Sequence, residues 1–294
     1  MYPESTRWVV ISYLSLPDKR RALKWLIVAM YFWAGILKIM PGSEWLTGGA
    51  LYGRHPLGLP DALIPWACAY VILLELVLVF GVLSKRRSRF LGSFSQLILF
   101  HIASFWVVGW FYPVLMFLLL AIFPIARMWP AAAAKAGQAH SRAESTRRGR
   151  RAAGGLIAVF SGAQLIGFAI PGDAAVTGEG RIFALNMFDA PLECRASVAF
   201  VSSTGVQVEV PLNAPFLNAR LQCDPIVYLG LARHYCRESA QQGGGFNFTL
   251  RLESRRAAGA RYLPIIDLES FCTTSPKYRL FRHNDWILLP SDVP

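Results

Sequence analysis

Residues 22–40 read ALKWLIVAMYFWAGILKIM, an apolar run long enough to cross the hydrocarbon core of a bilayer. The run contains Lys38, two helical turns after Tyr31 and about one turn after Gly35. A charged side chain at such a depth costs about 3 kcal/mol or more, so it marks a candidate functional site. Because a buried ammonium loses its proton readily, Lys38 is a candidate base. The alternative is that Lys38, three residues before Pro41, extends its ammonium to the interface.

Four further apolar runs, together with a composition that is 54% hydrophobic, favour a membrane protein over a soluble one. They lie at residues 61–83, 90–109, 112–128 and 152–170, and each is long enough to cross a bilayer. The sequence therefore predicts a multi-pass α-helical membrane protein with about five spans. The expected organisation is an N-terminal cytoplasmic or interfacial segment (1–21), a four-helix membrane domain (22–129), a basic cytoplasmic linker (130–151), a fifth transmembrane helix (152–170) and an extracytoplasmic domain (171–294).

The basic residues predict the orientation of these spans. Residues 1–170 hold 18 Lys and Arg but six Asp and Glu, whereas residues 171–294 hold 12 of each kind. With a cytoplasmic N-terminus, 16 of the 18 basic residues face the cytoplasm, and the exceptions are Lys38 and Arg54. Topology and attraction to anionic membrane lipids thus account for the charge, and we expect no nucleic-acid partner. The first run lacks a small-residue cleavage site and is expected to be an anchor, and the Ala- and Arg-rich composition indicates a bacterial inner membrane.

The C-terminal region has the features of a secreted α+β domain rich in β-structure. It contains Cys194, Cys223, Cys236 and Cys272, which in an oxidising compartment predict two disulfides with three possible pairings. The alternative is four buried thiols, and no C-x-x-C spacing supports a metal site. Alternating and capped segments predict a hairpin at 195–202 and 206–212, a helix at 224–241 and a strand at 246–254.

Five polar side chains interrupt the predicted spans. Counting about 1.5 Å per residue from the inner boundary places Lys38, His101 and Gln164 in the outer half of the membrane, and Glu75 with Gln96 lower down. Gly35 would let a flat ring approach the backbone beside Lys38. Glu75 is alternatively a protonated carboxyl bonded to Gln96 or to the backbone, and His101 a neutral packing residue.

The lysine-bearing segment resembles that of vitamin K-dependent gamma-carboxylases and their bacterial relatives, the horizontally transferred transmembrane (HTTM) proteins. Residues 31–48, YFWAGILKIMPGSEWLTG, are similar to the family's Tyr, Gly, Lys and Trp pattern. Residues 101–120, HIASFWVVGWFYPVLMFLLL, look like its His-to-Gly-Phe-Pro helix junction, and residues 179–188, EGRIFALNMF, resemble a strand after the last span. The hairpin, the helix and FNFTLRLES at 246–254 follow in the family's order, so the resemblance covers roughly residues 22–290.

This resemblance implies a hydroquinone-dependent carboxylase, which combines epoxidase and lyase activities. Such enzymes deprotonate reduced vitamin K, and oxygen converts it into an epoxide and a strong base that removes a glutamate proton before carbon dioxide adds. By resemblance, Lys38 is the catalytic base that starts this sequence. Depth and helix face make His101 its polar neighbour and second catalytic candidate, and the candidates for contact with reduced vitamin K or a related lipid quinol are Tyr31, Gly35, Trp45, Glu75 and Gln164. Family members also carry earlier membrane helices with a histidine needed for carboxylation, so we expect a membrane-protein partner to supply them. No metal is implied.

A second resemblance covers the first four spans alone. Gly35, Lys38, a Gly- and Pro-rich loop, and Glu75 within ILLELVLVFGVLSKR at 72–86 are similar to four-helix DoxX- and MauE-type membrane proteins, which are associated with quinone and thiol redox work. This resemblance implies a redox-accessory or non-catalytic subunit that binds quinone or a partner protein.

Overall fold

The computed structural model describes residues 19–40, 43–51, 53–128, 139–180, 192–201, 207–212, 221–241, 247–256 and 261–289. The chain forms two compact units. The first comprises Met1–Ile39 with Gly53–Gln164, and the second comprises Met40–Tyr52 with Leu165–Pro294. Residues 40–52 and the last turn of the final long helix thus group with the C-terminal unit.

The described part of the first unit consists of helices and the loops that join them. Its α-helices are α1 (Lys19–Lys38), α2 (Ile64–Leu76), α3 (Arg87–Val108), α4 (Phe111–Leu120), α5 (Ile122–Met128) and α6 (Ala139–Ala169), and a 3-10 segment, Leu78–Leu83, follows α2. Pro65 lies in the first turn of α2, where its missing N–H costs nothing. Gly109, with φ 77°, ends α3 in a conformation that favours glycine.

Four helical segments are long and apolar enough to cross a membrane: Asp61–Leu83, Arg87–Val108, Phe111–Met128 and Gly149–Ala169. They correspond to the second to fifth predicted spans. The first predicted span also forms a helix, α1, but its 20 residues include Lys24 and Lys38 as well as three basic residues in its first turn. These charges lower its mean hydropathy, and α1 is not among the four.

Helix α6 is longer than the sequence indicated. It begins at Ala139, so residues 139–151 are helical although they were expected to be part of a linker. Alanine and arginine have high helix propensity, and a basic segment continuous with an apolar span can extend its helix. Residues 130–138 of the predicted linker lie outside the described part of the chain, as does the N-terminal segment 1–18.

The core of the first unit is built where helices α1 to α5 and the 3-10 segment meet. Gly81 marks the closest approach, because a Cβ added there would lie 1.9 Å from the Ser93 Oγ on α3. The buried residues of this core are Ile27, Val28, Tyr31, Leu74, Val79, Val82, Phe90, Leu97, Met116, Leu120 and Phe123.

The second unit contains a four-stranded antiparallel sheet with strand order β2-β1-β3-β4. The strands are β1 (Leu192–Val201), β2 (Gln207–Pro211), β3 (Thr249–Arg256) and β4 (Leu263–Leu268). The predicted hairpin is confirmed as β1 and β2, whereas the third predicted strand begins three residues later than expected. The predicted helix is confirmed as α8 (Pro225–Gln241), and the backbone N–H of Ile226 donates to Asp224 Oδ1 at 2.9 Å.

Helix α8 packs against the apolar face of the sheet, and two disulfides hold this arrangement. Cys194 on β1 pairs with Cys223, just before α8, and Cys236 on α8 pairs with Cys272 on the short helix α9 (Phe271–Thr274). Two disulfides were predicted, and the structure selects this pairing among the three. The buried core consists of Tyr228, Leu229, Ala232, Phe248, Leu250, Leu252, Ile265, Ile266, Phe271 and Ile287.

Residues 43–51 are held inside this C-terminal unit by Arg256. Its guanidinium pairs with Asp173, which precedes the short helix α7 (Ala174–Thr177), and its Nη1 lies 3.9 Å from Glu44 Oε2. Trp45 belongs to this unit and is buried, at 3% exposure. Trp66 and Trp110, by contrast, are 75% and 66% exposed, as interfacial anchors would be.

Candidate functional site

Lys38 forms a buried ion pair with Glu75. The Lys38 Nζ lies 2.6 Å from Glu75 Oε2, and both residues are 3% exposed. Nζ also donates to the backbone carbonyl of Ala34, one turn earlier on α1, at 3.4 Å. The depths counted from the sequence placed Lys38 in the outer half of the membrane and Glu75 lower down, so this pairing was not predicted.

Side-chain direction accounts for this difference. Side chains on a helix lean toward its N-terminus, so on successive antiparallel spans Lys38 and Glu75 lean toward each other. The Ala34 contact shows Lys38 bent back along α1 in this way. In addition, the 3-10 segment Leu78–Leu83 rises about 2.0 Å per residue rather than about 1.5 Å, so the count from the inner boundary placed Glu75 too low.

Gly35 allows the two helices to approach at the ion pair. A Cβ added to Gly35 would lie 2.9 Å from Leu76 Cδ2 and 3.1 Å from Glu75 Cβ. The space above Gly35 is therefore filled by α2, and not left for the flat ring that the sequence suggested. A side chain at this position would push Glu75 away from Lys38.

Gln96 does not contact Glu75, contrary to one of the alternatives. Its Oε1 accepts a hydrogen bond from the Tyr70 hydroxyl at 2.7 Å, and its Nε2 donates to the Gly92 carbonyl at 3.0 Å. Glu75 and Gln96, which were predicted to share the lower polar layer, therefore make separate contacts, with Lys38 and with Tyr70.

His101 lies at the centre of a second polar pair. Its Nε2 is 2.5 Å from the Tyr31 hydroxyl, and its ring is fully buried. Besides the Tyr31 ring, three further aromatic rings surround it, with centroids 4.8 Å (Phe100), 5.5 Å (Tyr112) and 6.2 Å (Phe117) away. Nδ1 has no hydrogen-bond partner among the described residues. When Tyr31 donates to Nε2, Nδ1 carries a proton and is a buried donor for an oxygen of another group.

The two pairs share helix α1, on which Tyr31 precedes Lys38 by about two turns. The structure thus brings five predicted site residues into two contacts: Lys38 with Glu75 beside Gly35, and Tyr31 with His101. It adds Tyr112, whose ring centroid lies 5.5 Å from that of His101, and which had not been selected because a tyrosine in an apolar span carries no distinctive pattern. Cys68 is a buried free thiol.

The other two predicted residues are Trp45 and Gln164. Trp45 belongs to the C-terminal unit. Gln164 is buried near the end of the first unit, at 4% exposure. Within the described ranges, no group of three or more His, Cys, Asp or Glu residues is arranged to hold a metal ion.

Arg54 adds a basic group near the C-terminal end of α3. Its Nη1 donates to the carbonyl of Val107 at 3.2 Å, where the dipole of α3 favours a positive charge. Burial lowers the pKa of the Arg54 guanidinium from its usual value. This contact gives Arg54 a structural role in holding the loop to α3.

The C-terminal unit contains a buried carboxylate that the sequence did not indicate. Glu179 Oε1 accepts hydrogen bonds from both the backbone and the side-chain nitrogen of Asn284, each at 2.7 Å, and its Oε2 lies 2.7 Å from His283 Nδ1. Burial, reinforced by the charge of Glu179, raises the pKa of Tyr278. Both oxygens of Glu179 are satisfied, so this cluster fastens two distant segments together. More than 100 residues separate the partners in sequence, which leaves no local signal.

Comparisons with protein-family models, with curated proteins and with solved structures found no match to this chain.

Proposed function

We propose that this chain is an integral membrane protein of carboxylase-like, HTTM type that binds a lipid hydroquinone at the Lys38–Glu75 and Tyr31–His101 pairs. The proposal includes insertion of α1 as a fifth span, a cytoplasmic N-terminus, an extracytoplasmic C-terminal unit and a bacterial inner membrane. The observation that carries it is the buried ion pair at Lys38 inside a bundle of apolar helices. Ionisable residues within membrane helices are rare and are usually functional.

Exposure of the apolar helices supports membrane insertion. Of the 18 most apolar consecutive residues in Gly149–Ala169, 11% are buried inside the protein. The corresponding share in Arg87–Val108 is 22%. Soluble proteins rarely leave apolar patches of this size in water, whereas lipid covers them at no cost. Loops and sheets rich in charge are concentrated in the C-terminal unit, as an aqueous domain requires.

The polar atoms offer the donors and acceptors that the head group of a lipid hydroquinone, such as reduced vitamin K, would need. Such a head group has two oxygens on opposite sides of a flat ring, and each accepts or donates a hydrogen bond. The His101 Nδ1, buried among aromatic rings, would hold one oxygen. The Lys38–Glu75 pair would hold the other and would exchange its proton. A bound hydroquinone supplies, together with dioxygen, the strong base that carboxylation of a glutamate side chain requires.

A second candidate function is a redox-accessory subunit of the DoxX or MauE type, which binds quinone or a partner membrane protein without turnover. The observation that favours it is that Gly35, Lys38 and Glu75, the residues behind that resemblance, meet at one point.

Purification in mild detergent followed by mass spectrometry of bound lipids and proteins tests both functions. A quinone in the extract, with hydroquinone-dependent oxygen uptake that Lys38→Met abolishes, is the expected result for the enzyme. A bound quinone or a co-purified membrane protein without oxygen uptake favours the accessory subunit. If neither quinone nor partner is retained and no oxygen is consumed, both functions are excluded.

A further inference from the structure

We propose that the loop of residues 277–285 is a membrane-docking surface, which rests on phospholipid head groups beside the outer end of α6. The loop reads KYRLFRHND. The inference goes beyond hydroquinone binding, but it rests on one part of the proposed function, the insertion of α6 as a span with the C-terminal unit outside the cytoplasm.

Hydrogen bonds at three of its residues fasten this loop to residues 179 and 180. Glu179 Oε2 lies 2.7 Å from His283 Nδ1, and Glu179 Oε1 accepts hydrogen bonds from the backbone and the side chain of Asn284, each at 2.7 Å. The backbone of Gly180 also donates a hydrogen bond to the Tyr278 hydroxyl. Glu179 and Asn284 are each 1% exposed, so water does not compete for their contacts. The loop is therefore held at a fixed place beside residues 179 and 180.

Gly180 in turn packs against the C-terminal end of α6, which is its outer end in the proposed topology. A Cβ added to Gly180 would lie 2.9 Å from the Gly167 Cα and 3.3 Å from Ile170 Cδ1, so the backbone there lies directly on the helix. Gly167 precedes the last residue of α6, Ala169, by about 3 Å along the helix axis.

This contact determines the depth of the loop. The apolar run of α6 continues to Ile170, and the first charged residue after it is Asp173, so the hydrocarbon boundary lies near the end of the helix. The head-group layer beyond that boundary is about 5–7 Å thick. Gly180, and the loop fastened beside it, therefore lie at the level of the phospholipid head groups.

The tip of the loop carries side chains that suit a lipid surface. Phe281 is 67% exposed, and Lys277 and Arg282, on either side of it in sequence, are also exposed. Phe281 is two residues from His283, so it lies within about 7 Å of the fastened segment. An aromatic ring between basic side chains is typical of surface-binding segments, in which the ring enters the acyl boundary and the cations contact phosphates.

The charge of the loop favours phospholipid as its occupant. The loop holds three basic residues and one acidic residue, whereas residues 171–294 as a whole hold equal numbers of both kinds. The acidic residue, Asp285, pairs with Arg279 at 3.1 Å, so the net positive charge comes from Lys277 and Arg282. Phosphate groups lie at this depth over the whole membrane surface, and they complement that charge.

Site-specific photocross-linking tests this surface in the full-length protein. Phe281 is replaced by p-benzoylphenylalanine, which bonds covalently to neighbouring C–H groups under ultraviolet light. The protein is reconstituted in nanodiscs of equal amounts of phosphatidylcholine and phosphatidylglycerol, and intact-protein mass spectrometry identifies the adducts. We expect a phospholipid adduct at position 281, with a yield at least about fivefold higher than at an exposed apolar position away from the membrane.

Val210 provides that matched control. It is 41% exposed on β2, and it pairs with Val198, which in turn pairs with Leu250 on β3. Leu250 lies six residues from Arg256, or about 20 Å along the strand, and Arg256 pairs with Asp173 just after α6. The same photoreactive residue at position 210 should therefore give little or no lipid adduct.

Val159, which is 73% exposed in the middle of α6, is the positive control for insertion. A lipid adduct at position 159 but none at 281, or equal yields at 281 and 210, would reject the docking loop and leave the proposed function intact. Absence of a lipid adduct at 159 would instead reject insertion of α6 and with it the proposed function. A protein adduct at 281 in native membranes would show that a partner protein occupies the surface, and it would also overturn the inference.

Two substitutions test the contribution of charge. Lys277→Gln combined with Arg282→Gln should lower the yield of lipid adduct at position 281 by about threefold or more, and it should remove any preference for phosphatidylglycerol over phosphatidylcholine. Arg237→Gln, at an exposed basic residue on α8, is the control and should leave the yield unchanged. An unchanged yield in the double variant would show that the loop does not bind phosphate head groups.

Discussion

The Lys38–Glu75 pair makes a strong prediction about stability. Removal of one partner from a buried ion pair typically costs about 3–5 kcal/mol, because the remaining charge loses its compensation. Lys38 and Glu75 are each 3% exposed, so solvent cannot take over this role. We therefore expect Lys38→Met to destabilise the first unit by about 3–5 kcal/mol. With about 2–4 °C per kcal/mol for a unit of this size, the melting temperature should fall by about 6–20 °C.

The double variant Lys38→Met/Glu75→Leu completes a double-mutant cycle on the ion pair. It replaces the pair by apolar side chains, a change that is often neutral or stabilising by up to about 4 kcal/mol. Its melting temperature should therefore return to that of the wild type or exceed it. The deficit of the single variant should also shrink as the pH is lowered, since an isolated buried carboxyl is stable only when it is protonated.

Thermal unfolding in detergent, followed by tryptophan fluorescence, measures these differences, and Gln96→Ala serves as the control for loss of a polar side chain. A lysine that extends its charge to the interface would behave differently. In that case Lys38→Met would melt at or above the wild-type temperature at every pH, and the two substitutions would be additive. Either observation would refute the ion pair as the basis of the site.

Three further predictions concern topology, covalent structure and helix packing. Alkaline phosphatase fused after Pro294 should be active and fused at His140 inactive, because the basic residues favour a cytoplasmic loop there; the reverse pattern would reject the five-span topology. Non-reducing peptide mapping should recover the two cysteine pairs of the C-terminal unit, each of which adds about 2–4 kcal/mol, and four alkylatable thiols would contradict this. Gly35→Ala should cost about 1–3 kcal/mol because its methyl group meets α2, whereas Gly162→Ala, with open space around it, should be neutral or stabilising. Equal melting temperatures for the two glycine variants would show that Gly35 is not a contact point.

The sequence by itself determined the elements that depend on local pattern. The apolar runs, which need about 20 residues to cross a bilayer, predicted the second to fifth spans, and four helices of that length and composition are present. Two strand-like runs that flank a short turn sequence, residues 203–205, predicted the β1–β2 hairpin, and Asp224 followed by Pro225 predicted the start of α8. These signals are local because hydrogen bonds within a helix, and side-chain alternation along a strand, involve neighbours in the chain.

Tertiary structure alone decided which distant residues meet. Lys38 and Glu75 are 37 residues apart, and Tyr31 and His101 are 70 apart. Depth counting placed the first two in separate layers because it ignored the lean of side chains toward helix N-termini and the longer rise of the 3-10 segment. The pairing of Cys194 with Cys223, the burial of Trp45 and the cluster around Glu179 likewise depend on how the elements pack. Packing is a property of surfaces that the chain folding brings together, and no local pattern of residues encodes it.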